Sequence, residues 1–207
     1  SNIELSGYLA GALSLVSRSL INNAQFDIVG FVVDQMAYNI SRFIEKELLQ
    51  GTEDKVAGLS TLTNVKNTSS ASAITSNELI ELQAKVKDVY QNNAIWVMST
   101  ATRTAIRELK DNYGRYLLQD DISLPFGHSL LGKPVYVSDN MPEIGAGNTA
   151  IYYGDMSGLA TKFSEDINIQ VLRERFADSH AVGVISWFEF DSKVENAQKL
   201  AKLVCGN

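Results

Sequence analysis

Apolar side chains recur along residues 26–50 at Phe26, Val29, Val33, Met36, Ala37, Ile40, Phe43, Ile44 and Leu48, the spacing that places them on one face of a helix. Asp27 stands where the positive end of the helix dipole favours a carboxylate, and Gly51 stands where a left-handed residue closes the last turn. At 1.5 Å per residue this stretch makes a rod of roughly 37 Å, long for a small domain. Residues 58–74 are rich in Ser, Thr, Ala, Asn and Gly and read as an exposed connection between two structural units. Thr75 and Glu78 then form a capping box ahead of a second amphipathic helix through Leu79, Leu82, Val86 and Val89, ending near Asn92.

From Ile95 to Met98 a short apolar run reads as a buried strand, followed by a third helix from Thr100 to Lys110 that stops at Asn112-Tyr113-Gly114. Pro125, Gly127, Gly132 and Pro134 punctuate a loop region, and residues 135–137 and 149–153 read as strands. Residues 75–153 therefore predict a compact α/β unit around a small sheet. Ile167, Ile169 and Val171 alternate with Asn168, Gln170 and Leu172, predicting a strand with one buried side and one mixed side. Its antiparallel partner is Val182 to Phe190, across the turn Ala177 to Ala181, which makes a long hairpin. Alternation on the second strand sends Trp187 to the face opposite Phe188 and Phe190. Val194, Ala197, Leu200, Ala201 and Val204 have helical spacing and predict a terminal helix docked on a neighbouring face.

Composition narrows this picture without redirecting it. With 207 residues, 45% hydrophobic and 20% charged, the chain has room for one large domain or two small ones. A formal net charge of −6 lacks the clustered basic face that phosphate neutralisation requires, so sequence-specific nucleic-acid binding is not expected. Apolar stretches are interrupted well before the ~20 residues of a membrane span, and the opening residues lack the pattern of a signal peptide. The lone Cys205 excludes an intrachain disulfide and any metal cluster built on several cysteines.

The reactive residue types are sparse. His128 and His180, the two histidines, have no further ligand at metal-binding spacing. Asp178, Ser179 and His180 are neighbours in one short turn, which does not usually align nucleophile, base and orienter, so they read as a polar hairpin tip. Gly127-His128-Ser129 and Gly145-Ala146-Gly147 read as loop punctuation, and Asp120-Asp121 as solvated surface. No catalytic, cofactor-binding or metal residue is assigned. Arg173-Glu174-Arg175 has two readings: cross-strand pairs with Glu189 and Asp191, or charges that reach a neighbouring subunit.

One set of segments is specific in its order and spacing. It comprises Trp96-Val97-Met98 before the helix from Thr100 to Leu109, then Gly114-Arg115-Tyr116-Leu117 and Leu131-Gly132-Lys133-Pro134-Val135. Ser138-Asp139-Asn140-Met141-Pro142 and Gly154-Asp155 follow, and Val16-Ser17 with Leu20-Ile21 precede the long helix. In this arrangement the chain resembles the tailed-bacteriophage major capsid protein family over nearly its whole length. The resemblance implies an α+β chain of the Hong Kong phage type, with an axial α/β domain and a peripheral domain of long spine helix plus β-hairpin. The expected parts are a peripheral segment at residues 1–67 carrying the spine helix 26–50, an axial domain at 68–163, the peripheral hairpin at 164–192, and a C-terminal helix at 193–207 returning to the axial domain.

The implied function is that of a structural subunit, not an enzyme. It assembles with itself into hexamers and pentamers that close an icosahedral shell around double-stranded DNA, needing no cofactor and no membrane. A scaffold, a maturation protease and a portal are possible partners, and the location is the virion capsid, with synthesis in the bacterial host cytoplasm. Alternatives are an encapsulin-like nanocompartment shell and, remotely, a hydrolase. With about 25 residues ahead of the spine helix, the sequence is expected to lack the family's N-terminal arm and extended loop and to be monomeric or weakly associated in dilute solution. No crosslinking residue is assigned, because the family's crosslinking lysine belongs to that loop and the hairpin tip carries no Asn. Arg173, Arg175, Asp178, Ser179, His180 and Trp187 are the candidate intersubunit contacts.

Overall fold

The computed structural model describes residues 3–52, 54–110, 113–116, 118–120 and 128–206. In chain order its elements are β1 (Tyr8–Ser17), α1 (Arg18–Asn23), α2 (Ile28–Leu49), β2 (Val65–Asn67), α3 (Ser76–Ala84), β3 (Ile95–Met98), α4 (Thr100–Arg107), β4 (Leu118–Asp120), β5 (His128–Leu130), β6 (Lys133–Val137), β7 (Thr149–Gly154), β8 (Leu159–Leu172), β9 (Ala181–Val194) and β10 (Leu200–Val204). They divide into two units, residues 1–58 with 161–193 and residues 59–160 with 194–207.

The first unit is a three-stranded sheet in the order β1, β9, β8, with α2 packed on one face. The Asp27 side chain caps α2 by accepting from the Gly30 N–H at 3.0 Å, a stronger device than a dipole charge alone. Met36 and Ile40 of α2 pack against Val184, Phe188 and Phe190 of β9, with Tyr8, Ala10 and Ala12 of β1 and Ile169 of β8 at the margin. The helix is less deeply buried than its sequence pattern predicts: Phe26 lies ahead of it and is exposed, and Ala37 and Phe43 are also exposed. The buried Asp191 carboxylate accepts from the Ser6 N–H at 2.8 Å and the Ser192 N–H at 2.7 Å. The Ser6 bond ties the approach to β1 onto β9, and the register that follows pairs Tyr8 with Phe190 and Ser17 with Ala181.

The second unit is a seven-stranded mixed sheet in the order β2, β10, β7, β3, β6, β5, β4. Parallel pairs join β10 to β2 and β3 to β6, and the remaining neighbours are antiparallel. Its core holds Leu79 and Leu82 of α3, Trp96 and Met98 of β3, Ile106 of α4, and Ile151 and Tyr153 of β7. The Trp96 indole N–H donates to the Leu130 carbonyl at 2.9 Å, and its ring lies 4.2 Å from that of Tyr153. The Tyr153 hydroxyl is held by Gln91 and Gln83, so this buried ring has its polar atom satisfied.

Four sequence expectations are corrected. Residues 193–207 are not a helix: Leu200 to Val204 form β10, an interior strand. A helix of so few residues is unstable alone, whereas β7 and β2 offer backbone partners on both sides. Residues 58–74 are not an exposed connection, because they hold a 3-10 turn at Gly58–Thr61, strand β2 and the buried Leu59, Leu62 and Ile74. The chain accordingly first leaves the first unit at Gly58, not at residue 67. The helix starting at the capping box ends at Ala84, and Val89 sits in a 3-10 turn with 82% of its surface exposed. On β8, Ile167 and Val171 are exposed and only Ile169 packs inward, because this strand lies at the edge of its sheet. Strand β1 and helix α1 were absent from the pattern reading altogether.

The capping box itself is present. Glu78 accepts from the Ser69 N–H at 2.7 Å, the Ser69 hydroxyl at 2.9 Å and the Thr75 N–H at 2.8 Å. Burial pushes this carboxyl upward, but the Ser69 and Thr75 donors outweigh burial and hold it below its ordinary value of 4.5. A carboxylate so lowered contributes stability above its unfolded-state value and loses that contribution as pH falls through the folded value. We expect Glu78→Gln to cost about 1–2 kcal/mol at pH 7, with the gap to the parent protein narrowing below pH 4.5 in urea titrations. Ser186, fully buried on β9, has a hydroxyl without a hydrogen-bond partner. Ser186→Ala is expected to stabilise the protein by about 1 kcal/mol; a loss of stability in the same titration would show that the hydroxyl is bonded.

Candidate assembly surfaces

The segments that carry the family resemblance prove to be places where backbones meet. Gly154 has φ +133°, and a Cβ there would stand 2.1 Å from the Lys199 carbonyl oxygen, so only glycine allows β7 and the approach to β10 to close together. The next residue, Asp155, donates its N–H to that same carbonyl at 3.0 Å and accepts from the Ser157 N–H at 2.9 Å. The Ser138 N–H donates to the Met98 carbonyl at 3.0 Å, and Met141 is buried. These residues fix chain paths. Leu117, part of the same resemblance, lies outside the described residues, as do Asp121, Pro125 and Gly127.

The two histidines lie in different settings. His128 opens β5 opposite Asp120, so the Gly-His-Ser segment continues into a strand and is not a turn. At the β8–β9 connection, the Ser179 N–H and hydroxyl both donate to Asp178 Oδ1, at 2.9 and 3.4 Å. The His180 backbone, at φ 52°, donates to the Ala177 carbonyl at 3.2 Å and accepts from the Arg18 N–H at 2.9 Å. Ser179 is thus bonded to the acid. Among the described residues, no group of three His, Cys, Asp or Glu side chains is arranged to hold a metal ion. No helix among them is long and apolar enough to cross a membrane.

Five of the six candidate contact residues, Arg173, Arg175, Asp178, Ser179 and His180, lie together on this exposed connection. Arg18 braces it by donating from Nη2 to the Arg173 carbonyl at 3.0 Å. The Arg175 guanidinium lies 5.7 Å from the centre of the Phe176 ring. The Phe176 ring also occupies the space a side chain at Gly183 would need. Cross-strand pairing of Arg173 and Arg175 with Glu189 and Asp191 does not occur. The turn arginines lie beyond the ladder, whereas Glu189 pairs with Leu9 of β1 and Asp191 binds Ser6. Trp187 stands apart, six residues up β9 from Ala181 and so about 20 Å away at strand rise.

Trp187 belongs to a second surface that the sequence reading missed. It is 46% exposed and its indole lies over Gly11 of β1, where a Cβ would come within 2.6 Å of the ring. On the same face, Leu9, Leu13 and Leu15 are each more than half exposed, and Leu13 pairs with Ile185. The signal was available in the alternation of Leu9, Gly11, Leu13 and Leu15 with Ala10, Ala12 and Ser14. Beside the inner face of β1, a groove of about 380 Å³ runs along α2 between Ala10, Ala12, Val32, Met36, Ile40 and Phe43.

Comparison with known proteins identifies this assembly of parts. The fold is similar to the capsid of an empty GTA particle, with a TM-score of 0.85 and 23% identity, covering 99% of this chain and 75% of that one. It is also similar to a chain of Mycobacterium phage Bobi, with a TM-score of 0.72 and 14% identity, covering 98% and 73%. The holo-SrpI encapsulin complex from Synechococcus elongatus matches with a TM-score of 0.72 and 15% identity, covering 97% and 73%. Comparison with curated proteins gave no match. The description "Phage capsid family" matches residues 1–205, and with that match covering nearly every residue, the chain belongs to the phage capsid family.

Proposed function

We propose that this protein is the major capsid subunit of a phage or prophage icosahedral shell that encloses double-stranded DNA, acting by self-assembly and not by catalysis. The observation that carries the reading is the family match over residues 1–205, joined to a fold shared with particle-forming capsids. In this reading, residues 1–58 with 161–193 are the peripheral domain, built on α2 and the β8–β9 hairpin, and residues 59–160 with 194–207 are the axial domain. Subunits associate as hexamers and pentamers through repeated contacts. The exposed side chains of Arg173, Arg175, Asp178 and His180 reach a neighbouring subunit, where the electrostatic complementarity of the arginines and the aspartate sets register and rate of association. Scaffold, maturation protease and portal are the partners this role brings, with synthesis in the host cytoplasm and residence in the virion capsid.

A second reading, a nanocompartment shell with protein cargo, is favoured by one observation, the similarity to the encapsulin complex at the same TM-score as the phage chain. Electron microscopy of particles made from the complete reading frame, produced together with the scaffold, protease and portal of the same genome, separates the two. Closed shells filled with DNA are expected; shells filled with protein favour the second reading, and an absence of shells removes both. Replacing His128 by Ala is expected to leave shell yield unchanged, and loss of shells from the folded variant would contradict a structural role that does not use this imidazole. Arg173→Glu combined with Arg175→Glu should shift thermal unfolding by no more than about 2 °C. The same pair should lower shell yield by at least about tenfold, since like charges across an interface cost several kcal/mol.

A further inference from the structure

Arg18 opens α1 directly after β1, and its side chain is held in one place. Its Nη2 donates to the Arg173 carbonyl at 3.0 Å and its backbone N–H to the His180 carbonyl at 2.9 Å, so the residue is tied to both ends of the β8–β9 connection. Beside it lies a cleft of about 300 Å³ lined by Arg18, Ile21, Asn22, Val29, Arg173 and Val182. Its apolar wall is the buried Val182 of β9 with the partly buried Ile21 and Val29. Two guanidinium groups thus line one cleft, and no carboxylate lines it. Among the described residues, neither Arg18 nor Arg173 forms an ion pair with an acidic side chain. Coulomb repulsion between two such cations is relieved by an anion placed between them. Each guanidinium presents its N–H donors as a planar fork that matches the two oxygens of a carboxylate.

We propose that this cleft receives one acidic side chain, Asp or Glu, of a second copy of the chain, held between the Arg18 and Arg173 guanidiniums with its methylene stem against Val29 and Val182. The inference rests on the capsid reading, in which copies of this chain meet, and it names the group that the cleft takes from its neighbour. Charge complementarity chooses the occupant. The chain carries 24 Asp and Glu against 18 Lys and Arg, so the surface of a second copy offers carboxylates in excess. The apolar wall favours a carboxylate on an aliphatic stem over a bare inorganic anion, which has no methylene to lay on Val29 and Val182. The bond from Nη2 to the Arg173 carbonyl leaves Nη1 and Nε of Arg18 for the incoming oxygens. Because that bond already fixes the side chain, little rotamer freedom is lost on capture. Arg18 thereby joins Arg173 as a contact residue, although the two lie 155 residues apart in the chain.

Zero-length coupling tests the contact. Arg18→Lys puts an amine where the guanidinium stood, and a carbodiimide joins that amine to a touching carboxylate as an amide, the carbodiimide taking up the water and leaving as a urea. The variant is made in the complete reading frame and co-produced with the parent chain, so that shells form. Covalent dimers are expected on a denaturing gel, with Lys at position 18 joined by mass spectrometry to an Asp or Glu peptide in the dimer band and not in the monomer band. Coupling found in the monomer band overturns the proposal, because the carboxylate then belongs to the same copy. A position 18 that stays uncoupled while other lysines react overturns it too. Arg18→Gln, which keeps a donor for the Arg173 carbonyl but loses the charge, should shift thermal unfolding of the free subunit by no more than about 3 °C. The same variant should lower shell yield at least about fivefold. A lowered unfolding temperature with unchanged yield would leave Arg18 only its bracing role and sink the contact. DNA-filled shells without coupling at position 18 leave the capsid reading standing and remove the cleft contact, whereas an absence of shells from the parent protein removes the capsid reading and the second copy with it.

Discussion

A three-stranded sheet has two faces, and α2 covers one of them. The period-two alternation of β1 and β9 sends Ala10, Ala12, Val184 and Phe188 toward the helix, which obliges Leu9, Leu13, Leu15 and Trp187 to point the other way. Among the described residues these four side chains remain about half exposed, so apolar area stays in water. The ten-residue ladder between β1 and β9 sets this register, and the buried Asp191 carboxylate, accepting from Ser6, anchors its end. An isolated soluble domain gains nothing from such exposure.

The second unit solves the opposite problem. Its sheet is flanked by α3 and α4, and the described core residues Trp96, Met98, Ile106, Leu130 and Ile151 are fully buried. The conspicuous segments of this unit, around Ser138 and Gly154, are occupied in holding backbone to backbone. Their specificity in sequence thus reflects steric and hydrogen-bonding requirements of closure, not reaction chemistry. This explains how a chain can carry a recognisable order of motifs without any of them resembling a reactive constellation.

The sequence exposed some elements more clearly than others for physical reasons. The α2 helix, the Thr75–Glu78 capping box, β3 and the β8–β9 hairpin are specified by local periodicity or local hydrogen bonding, so short windows of sequence contain the whole signal. β10 was misread because Leu200, Ala201 and Val204 satisfy helical spacing equally well, and only β2 and β7, more than 45 residues away in the chain, make the strand favourable. β1 was missed because its small and large apolar residues alternate without a polar face, a pattern that does not declare which side is solvent. The turn arginines were legible as charged but not as unpaired with Glu189 and Asp191, since hairpin register depends on where the ladder ends.

By itself the sequence determined the family, the long helix and the scarcity of histidine and cysteine, because each follows from residue identity and near-neighbour spacing. The tertiary structure alone decided which surfaces are left over. Exposure is a property of what packs against a strand, and the partners of β1, β8 and Trp187 are set by contacts between residues as distant in sequence as Leu9 and Glu189.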